Sequence, residues 1–247
     1  MSLTFNDTTT YRGIIQLIER ELSFPRAHIS GNTNRLLDFT AEVNLAWDNY
    51  LAIALTASGK WQFDDSNHTD HPIIKTNLIS GRNDYPFTTD ENSNLILDIY
   101  RVAILESATD TDYVEINPID QQSEKHNDLL TEVSSSSAPY EYDKTGNTIF
   151  LSPTPNYNAT NGLKVYINRE ASYFTTSDTT KKPGCPGLHH KYFALRPSLE
   201  YARRLSLKSF NRLAEEVMKM EEEIKVYYSK RAKDEKNIMS PKKILYI

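Results

Sequence analysis

The segment WQFDDSNHTDHP, Trp61 to Pro72, places Asp64, Asp65, His68, Asp70 and His71 close together. Carboxylates and imidazoles are metal ligands, so the cluster has the donor types for a divalent cation. Its spacing matches no calcium loop, because the glycine at the sixth position and the glutamate at the twelfth are missing. The His-Glu-x-x-His helix of zinc hydrolases is missing too. Asp, Asn and Ser at such density more commonly hydrogen-bond their own backbone. The segment therefore reads first as a long polar loop, entered by two aromatics and feeding a strand at Ile73–Leu78.

Other reactive residue types are sparse. Cys185 is the only cysteine and lies in Lys-Lys-Pro-Gly-Cys-Pro-Gly, a turn whose nearest candidate bases are His189 and His190. A reactive thiol wants a base or a helix N-terminus beside it, and a turn cysteine reads as structural without one. Asp110 with Asp112, or Glu141 with Asp143, could be written as a glycosidase dyad, but a chain with 33 acids offers such pairs freely. Serine-nucleophile, phosphate-loop and dinucleotide glycine motifs are absent. Arg203, Arg204, Lys208 and Arg212 share roughly one side of a helix; they are either paired with acidic neighbours or form a patch that tolerates passing DNA without reading its sequence. No cofactor is called for, and no enzymatic activity is expected.

The chain has 247 residues, 25% of them charged and 38% hydrophobic, which suits a globular protein with a real core. A net charge of -5 carries no global nucleic-acid signature. One cysteine excludes an intramolecular disulfide. The start, MSLTFNDTTTYRG, lacks the basic-then-apolar order of a secretion signal, and no window has the apolar length of a membrane span. A soluble protein made in a cytosol is expected, with no membrane partner. Fifteen tyrosines against eight glycines nudge toward interfaces. Lys191 to Lys243 holds 14 basic and 8 acidic residues, a net of +6, while the remainder carries -11. Such asymmetry fits a protein whose two ends meet different partners.

Periodicity supplies the elements that must position these groups. Arg12–Leu22 has helical spacing with Thr10 as its cap, and Phe24-Pro25 stops it. A second helix, from about Thr33 to Ala57, carries Leu36, Leu37, Phe39, Thr40, Val43, Trp47, Tyr50, Leu51 and Ala54 on one stripe. Strands are predicted at Ile73–Leu78, Asn94–Leu105, Tyr113–Ile116, Tyr140–Tyr142, Thr148–Leu151 and Leu163–Asn168. The span from Asp120 to Ala138 is either an excursion from the sheet or a short helix and linker. From about Leu188 to Lys236 one long helix is expected, kinked or split near its start by Pro197, with Leu213, Val217, Met220, Ile224 and Tyr227 forming a heptad-like seam. The predicted fold class is α+β: a helical bundle of the N-terminal hairpin and the long C-terminal helix, with an inserted antiparallel β domain. The expected parts are 1–60, 61–183, 184–236 and an extended tail, 237–247.

Several short pieces carry a resemblance. GNTIFLSPTP (Gly146–Pro155), then GLKVYINR (Gly162–Arg169), Phe174-Thr-Thr-Ser-Asp and Pro183-Gly-Cys-Pro-Gly-Leu-His-His-Lys-Tyr follow one another after the Trp61–Leu78 entry segment. Together they resemble the head-to-tail adaptor, or connector, proteins of tailed bacteriophages over roughly residues 33–205. In that family a hairpin ending in Ser-Pro-x-Pro precedes a strand, an arginine-containing exit and a proline/glycine turn before the final helices. Pro197 and the charged extension past Arg212 depart from the pattern and leave open which ring of the neck is meant. The resemblance implies a virion structural protein, assembled in the host cytoplasm, forming a ring of about twelve copies by side-to-side contacts that close. Its implied partners are itself, the portal protein, downstream tail or neck proteins, and DNA passing during genome ejection. Ile238, Ile244, Leu245, Tyr246 and Ile247 would dock on the portal, with Arg203, Arg204, Lys208 and Arg212 facing the channel. A carbohydrate- or receptor-binding module, another tail or hub component, and a hydrolase using Asp64, Asp65 and His71 are the alternatives.

Overall fold

A computed structural model of the protein describes residues 3–58, 73–90, 93, 95–119 and 136–231. The Asp64–His71 cluster, the span 120–135 and the docking residues Ile238, Ile244, Leu245, Tyr246 and Ile247 lie outside the described residues.

The first helix, α1 (Ile14–Glu21), buries Ile14, Ile15 and Ile18 completely. Its start departs from expectation. Gly13, not Thr10, occupies the cap position and gives no side-chain bond. Thr10 instead donates its N–H and hydroxyl to the Asp7 carboxylate, while Gln16 accepts from the Asp7 N–H at 2.9 Å and donates to Asn6 Oδ1 at 2.7 Å. A Cβ on Gly13 would lie 2.2 Å from Gln16 Oε1, so only glycine lets the two segments meet. α1 ends at Ser23, whose φ of 57° is left-handed, with the Phe24 N–H reaching back to Glu19 O at 2.7 Å. That is a Schellman-type closure, a job glycine usually does. The Glu19 carboxylate, itself buried, then accepts N–H bonds from Ala27, Ile29 and Ser30 and so fixes the turn into α2.

α2 (Thr33–Ser58) buries Leu36, Phe39, Thr40, Val43, Trp47, Tyr50, Leu51 and Ala54 as its spacing requires. Leu37 does not join them and stands 60% exposed. The closing region is two helices, α3 (Tyr192–Arg204) and α4 (Phe210–Arg231), rather than one. Pro197 is buried inside α3 and does not interrupt it. Its lost hydrogen bond, about 3 kcal/mol in an exposed helix, is offset because α3 is packed against α1, α2 and α4. The break falls at Ser206 instead: its φ is 51°, and the Leu207 N–H bonds to Ala202 O at 2.9 Å. α4 then folds back, and Leu213, Val217 and Ile224 are buried in the common helical core.

Among the described residues seven strands lie between α2 and α3: β1 (Ile73–Leu78), β2 (Asp84–Pro86), β3 (Ile96–Ile104), β4 (Val114–Pro118), β5 (Glu141–Thr145), β6 (Thr148–Ser152) and β7 (Ala159–Arg169). They form one sheet in the order β1-β7-β3-β4-β5-β6-β2. The β5–β6 hairpin turns through Gly146, with φ of 60°, between Thr145 and Thr148. Val102, Ile104, Ile149, Leu151, Leu163, Val165 and Ile167 fill the concave side as a second core. At the edge of that core Arg169 and Asp90, both fully buried, form an ion pair at 2.7 Å.

The expected fold class is corrected. The chain is about 36% helix and 25% strand, with four helices and a mixed seven-stranded sheet curled into a half-barrel; it is not a helical bundle carrying a small inserted β domain. The sheet is not purely antiparallel, because β4 and β5 run parallel. Local hairpin signals report only neighbours in sequence, whereas a parallel pair needs a long crossover. β2 lies outside the predicted strands and forms because Tyr85 pairs with Ile149 of β6.

The helical core closes on an aromatic cluster. The Tyr50 hydroxyl lies 2.6 Å from His189 Nδ1 and 3.1 Å from the Tyr228 hydroxyl. Trp47 and Phe193 pack beside them with centroids 4.4 Å apart. His190 Nδ1 accepts from the Leu3 N–H at 2.9 Å, so its Nε2 carries the proton and donates to Cys185 O at 3.0 Å. Both imidazoles are held neutral. Burial, then the neighbouring His190, pushes His189 down to about 4, and burial lowers His190 as well.

Two measurements follow from these features. The unfolded chain takes up the His189 proton near 6.5 and the folded one only near 4, so the unfolded state binds the extra proton in between. Stability is therefore complete above pH 6.5 and declines as pH falls toward 4, by about 3 kcal/mol from this residue, with His190 acting in the same direction. Urea unfolding across that range, with the His189 imidazole followed by NMR, checks it; titration of His189 at an ordinary value contradicts the buried-neutral assignment. Separately, Ser206→Gly relieves a left-handed serine and is expected to raise stability by roughly 0.5–1 kcal/mol, read as an increase in Tm.

Candidate functional site

The C-terminal end of α3 and the adjoining face of α2 build an indented surface on the helical body. Three depressions meet there. The first, about 220 Å³, has Phe24, Phe39 and Tyr201 among its lining residues, with His28, Arg35, Asp38, Glu42, Arg204 and Leu205 around them. Tyr201 meets Phe24 edge-on at 5.5 Å and Phe39 at 5.4 Å, so the aromatic side is rigid. Arg35 donates to the His28 carbonyl at 3.2 Å and holds that wall. The second, about 510 Å³ and shallower, runs along Leu45, Asn49, Arg196, Glu200 and Arg203. The third, about 360 Å³, lies at the α3–α4 turn against Ser206, Lys208 and Phe210. Arg204 and Glu42 line both of the first two, and their bridge at 2.6 Å is the ridge between them.

The structure brings together three of the four basic residues singled out from the sequence. Arg203 lines the second and third depressions, Arg204 the first and second, and Lys208 the third. Arg212 stands apart on α4, bound to Glu21 at 3.0 Å and Glu216 at 2.6 Å. The arginines are not bare cations: Arg203 pairs with Glu200 at 2.6 Å, and Arg204 with Glu42. Lys191, and after it Arg212, hydrogen-bond Glu216 and hold its carboxyl below the ordinary range. Helical spacing makes the Arg203–Glu200 and Arg212–Glu216 pairs readable in advance. Glu42 and Glu21 come from distant helices and carry no local signal. Sequence reasoning also missed Leu45, Leu205 and Phe210, which are 56%, 55% and 36% exposed beside these depressions.

The remaining candidates are placed as follows. Cys185 is buried, 5% exposed, and both ring nitrogens of His190 are engaged by main-chain groups while His189 is engaged by Tyr50. Asp110 and Asp112 are exposed in the β3–β4 loop, and Glu141 and Asp143 sit on one face of β5; neither pair lines the three depressions. Among the described residues no group of three His, Cys, Asp or Glu could hold a metal ion, and no helix is long and apolar enough to cross a membrane. An indented surface of alternating ion pairs and exposed leucines is suited to meeting another protein surface.

No protein-family model and no curated protein matches the chain.

The Arg204–Glu42 ridge is a half-exposed pair, and a double-mutant cycle with Arg204→Ala and Glu42→Ala is expected to give a coupling energy below about 1 kcal/mol. Substituting Arg204 should therefore merge the first two depressions while leaving Tm within a few degrees. A much larger loss of stability contradicts the surface assignment.

Proposed function

We propose that the protein is a structural component of a tailed-phage virion: a head-to-tail adaptor that assembles as a ring beneath the portal. In that role it connects capsid to tail, surrounds the DNA channel and performs no chemistry of its own. The observation that carries this reading is the set of exposed apolar side chains that line the three depressions (Leu45 on α2, Leu205 and Phe210 at the α3–α4 turn) beside the paired arginines. Exposed apolar side chains set among ion pairs suit a surface that meets another protein. The resemblance of residues 33–205 to adaptor proteins supplies the type of assembly. Neighbouring copies meet through two different patches, so the contact propagates until a ring of about twelve closes.

Ile238, Ile244, Leu245, Tyr246 and Ile247 are assigned to portal docking, by entering a groove or adding a strand to a sheet edge. The charge difference between the C-terminal part and the remainder steers stacking of successive rings. Size-exclusion chromatography with light scattering, on the protein alone and with the portal ring of its own phage, tests the assignment. Ring-sized assemblies with portal are expected, and Leu45→Glu with Leu205→Glu should abolish them without unfolding the protein. Deletion of residues 238–247 should leave Tm unchanged and remove co-sedimentation with portal. Undiminished co-sedimentation rules out the tail assignment; a wild-type chain indifferent to portal rules out the adaptor reading.

A further inference from the structure

Among the described residues, the outer face of the curled sheet carries lysines without a carboxylate partner. Lys75 of β1 and Lys164 of β7 are direct cross-strand partners. Lys164 lies between Leu163 and Val165 in sequence, both fully buried, so its side chain is on the face away from the sheet's core. Like charges placed directly opposite one another are unfavourable. Among the described residues, neither lysine has a carboxylate within salt-bridge distance. Among the described residues the other basic side chains of the strands and their turns each meet a carboxylate: Arg82 with Asp84, Arg101 with Glu115, Lys144 with Asp98, Arg169 with Asp90.

Tyrosines hold these cations in a row. Lys75 Nζ and Lys164 Nζ sit 5.8 and 4.8 Å from the centre of the Tyr113 ring. Lys164 and Arg101 of β3 sit 5.0 and 4.8 Å from the centre of Tyr166. The Tyr113 hydroxyl is itself anchored on Asn161 O at 2.7 Å. Arg101 also reaches Glu115 at 2.6 Å, the one acid on this row. Cation–π contacts orient the charges without neutralising them.

We propose that this face, centred on Lys75, Lys164 and Arg101, binds the phosphodiester backbone of duplex DNA without reading its sequence. β1, β7 and β3 are consecutive in the sheet, so the three cations span two strand spacings, about 10 Å. One DNA strand presents a phosphate per about 3.4 Å of axis, so the row covers two or three of them. The tyrosine faces are occupied by cations, which disfavours stacking of unpaired bases and separates this surface from a single-strand platform. It is also distinct from the α3–α4 arginines, which lie on the helical body and pair with Glu200, Glu42, Glu21 and Glu216. The inference does not depend on ring assembly.

Fluorescence anisotropy of the full chain with a labelled 30-base-pair duplex, over about 50–200 mM salt, tests it. Lys75→Gln with Lys164→Gln should weaken binding by at least about tenfold at the lowest salt and flatten the slope of log K against log salt by about 2. Glu115→Gln should strengthen binding. Lys219→Gln with Lys225→Gln, the same charge change on exposed positions of α4, should leave the slope unchanged. Circular dichroism on each variant confirms that the fold is retained. Equal slopes for the two double variants, tighter binding to single-stranded DNA, or binding to a sulfated polysaccharide but not to duplex would each overturn the proposal.

Discussion

The contact on which the architecture depends is the buried meeting of Tyr50, His189 and Tyr228. It joins residues 139 and 178 positions apart, bringing together α2, the turn before α3, and α4. The whole sheet is inserted between Tyr50 and His189, so the contact pins both ends of that insertion at one point. Burial keeps the His189 imidazole neutral where it meets the Tyr50 hydroxyl at 2.6 Å. His190, next in sequence, uses the same chemistry to hold Leu3 at the N-terminal segment. Two adjacent histidines thereby tie α2 and the N-terminal segment to one turn, and burial disfavours the charged form of both.

Around that point the helices satisfy themselves. The α4 seam is spent on the protein's own core: Leu213, Val217 and Ile224 are buried with α2 and α3, which leaves Met218 and Val226 on the outside. On the helical body, exposed leucines stand among ion pairs at the α2 edge and the α3–α4 turn. Pairing there keeps the arginines soluble and oriented while contributing little to stability. Such a surface can be covered by a partner at modest desolvation cost, since its charges are already compensated.

The sheet handles charge differently. Its buried Asp90–Arg169 pair lies fully enclosed at 2.7 Å, where removal of either partner would strand the other. On the outer face the lysines have rings and not carboxylates for company. The protein thus presents compensated arginines at the α3–α4 end of its helices, while Lys75 and Lys164 have no carboxylate partner among the described residues. The formal net charge of -5 conceals this completely.

Much of the local structure was legible. Strand β1 has the limits its alternation indicated, and the α2 stripe is buried apart from Leu37. Period and composition act on neighbouring residues, so they determine which stretches become helix or strand and which face turns inward. Helix ends were less legible. Ser23 and Ser206 close α1 and α3 in a left-handed conformation that glycine would have advertised, and Pro197 drew attention to the wrong place. The parallel β4–β5 pair, the Glu42 and Glu21 partners of the arginines, and the Lys75–Lys164 juxtaposition had no local signature. Each joins residues far apart in the chain, and such pairings are chosen by how the sheet curls and the helices pack. The sequence by itself determined the elements and their apolar faces, because short-range sterics and burial suffice for that. Only the tertiary structure decided which charges meet an opposite and which are left facing outward, because that depends on register and closure across the whole molecule.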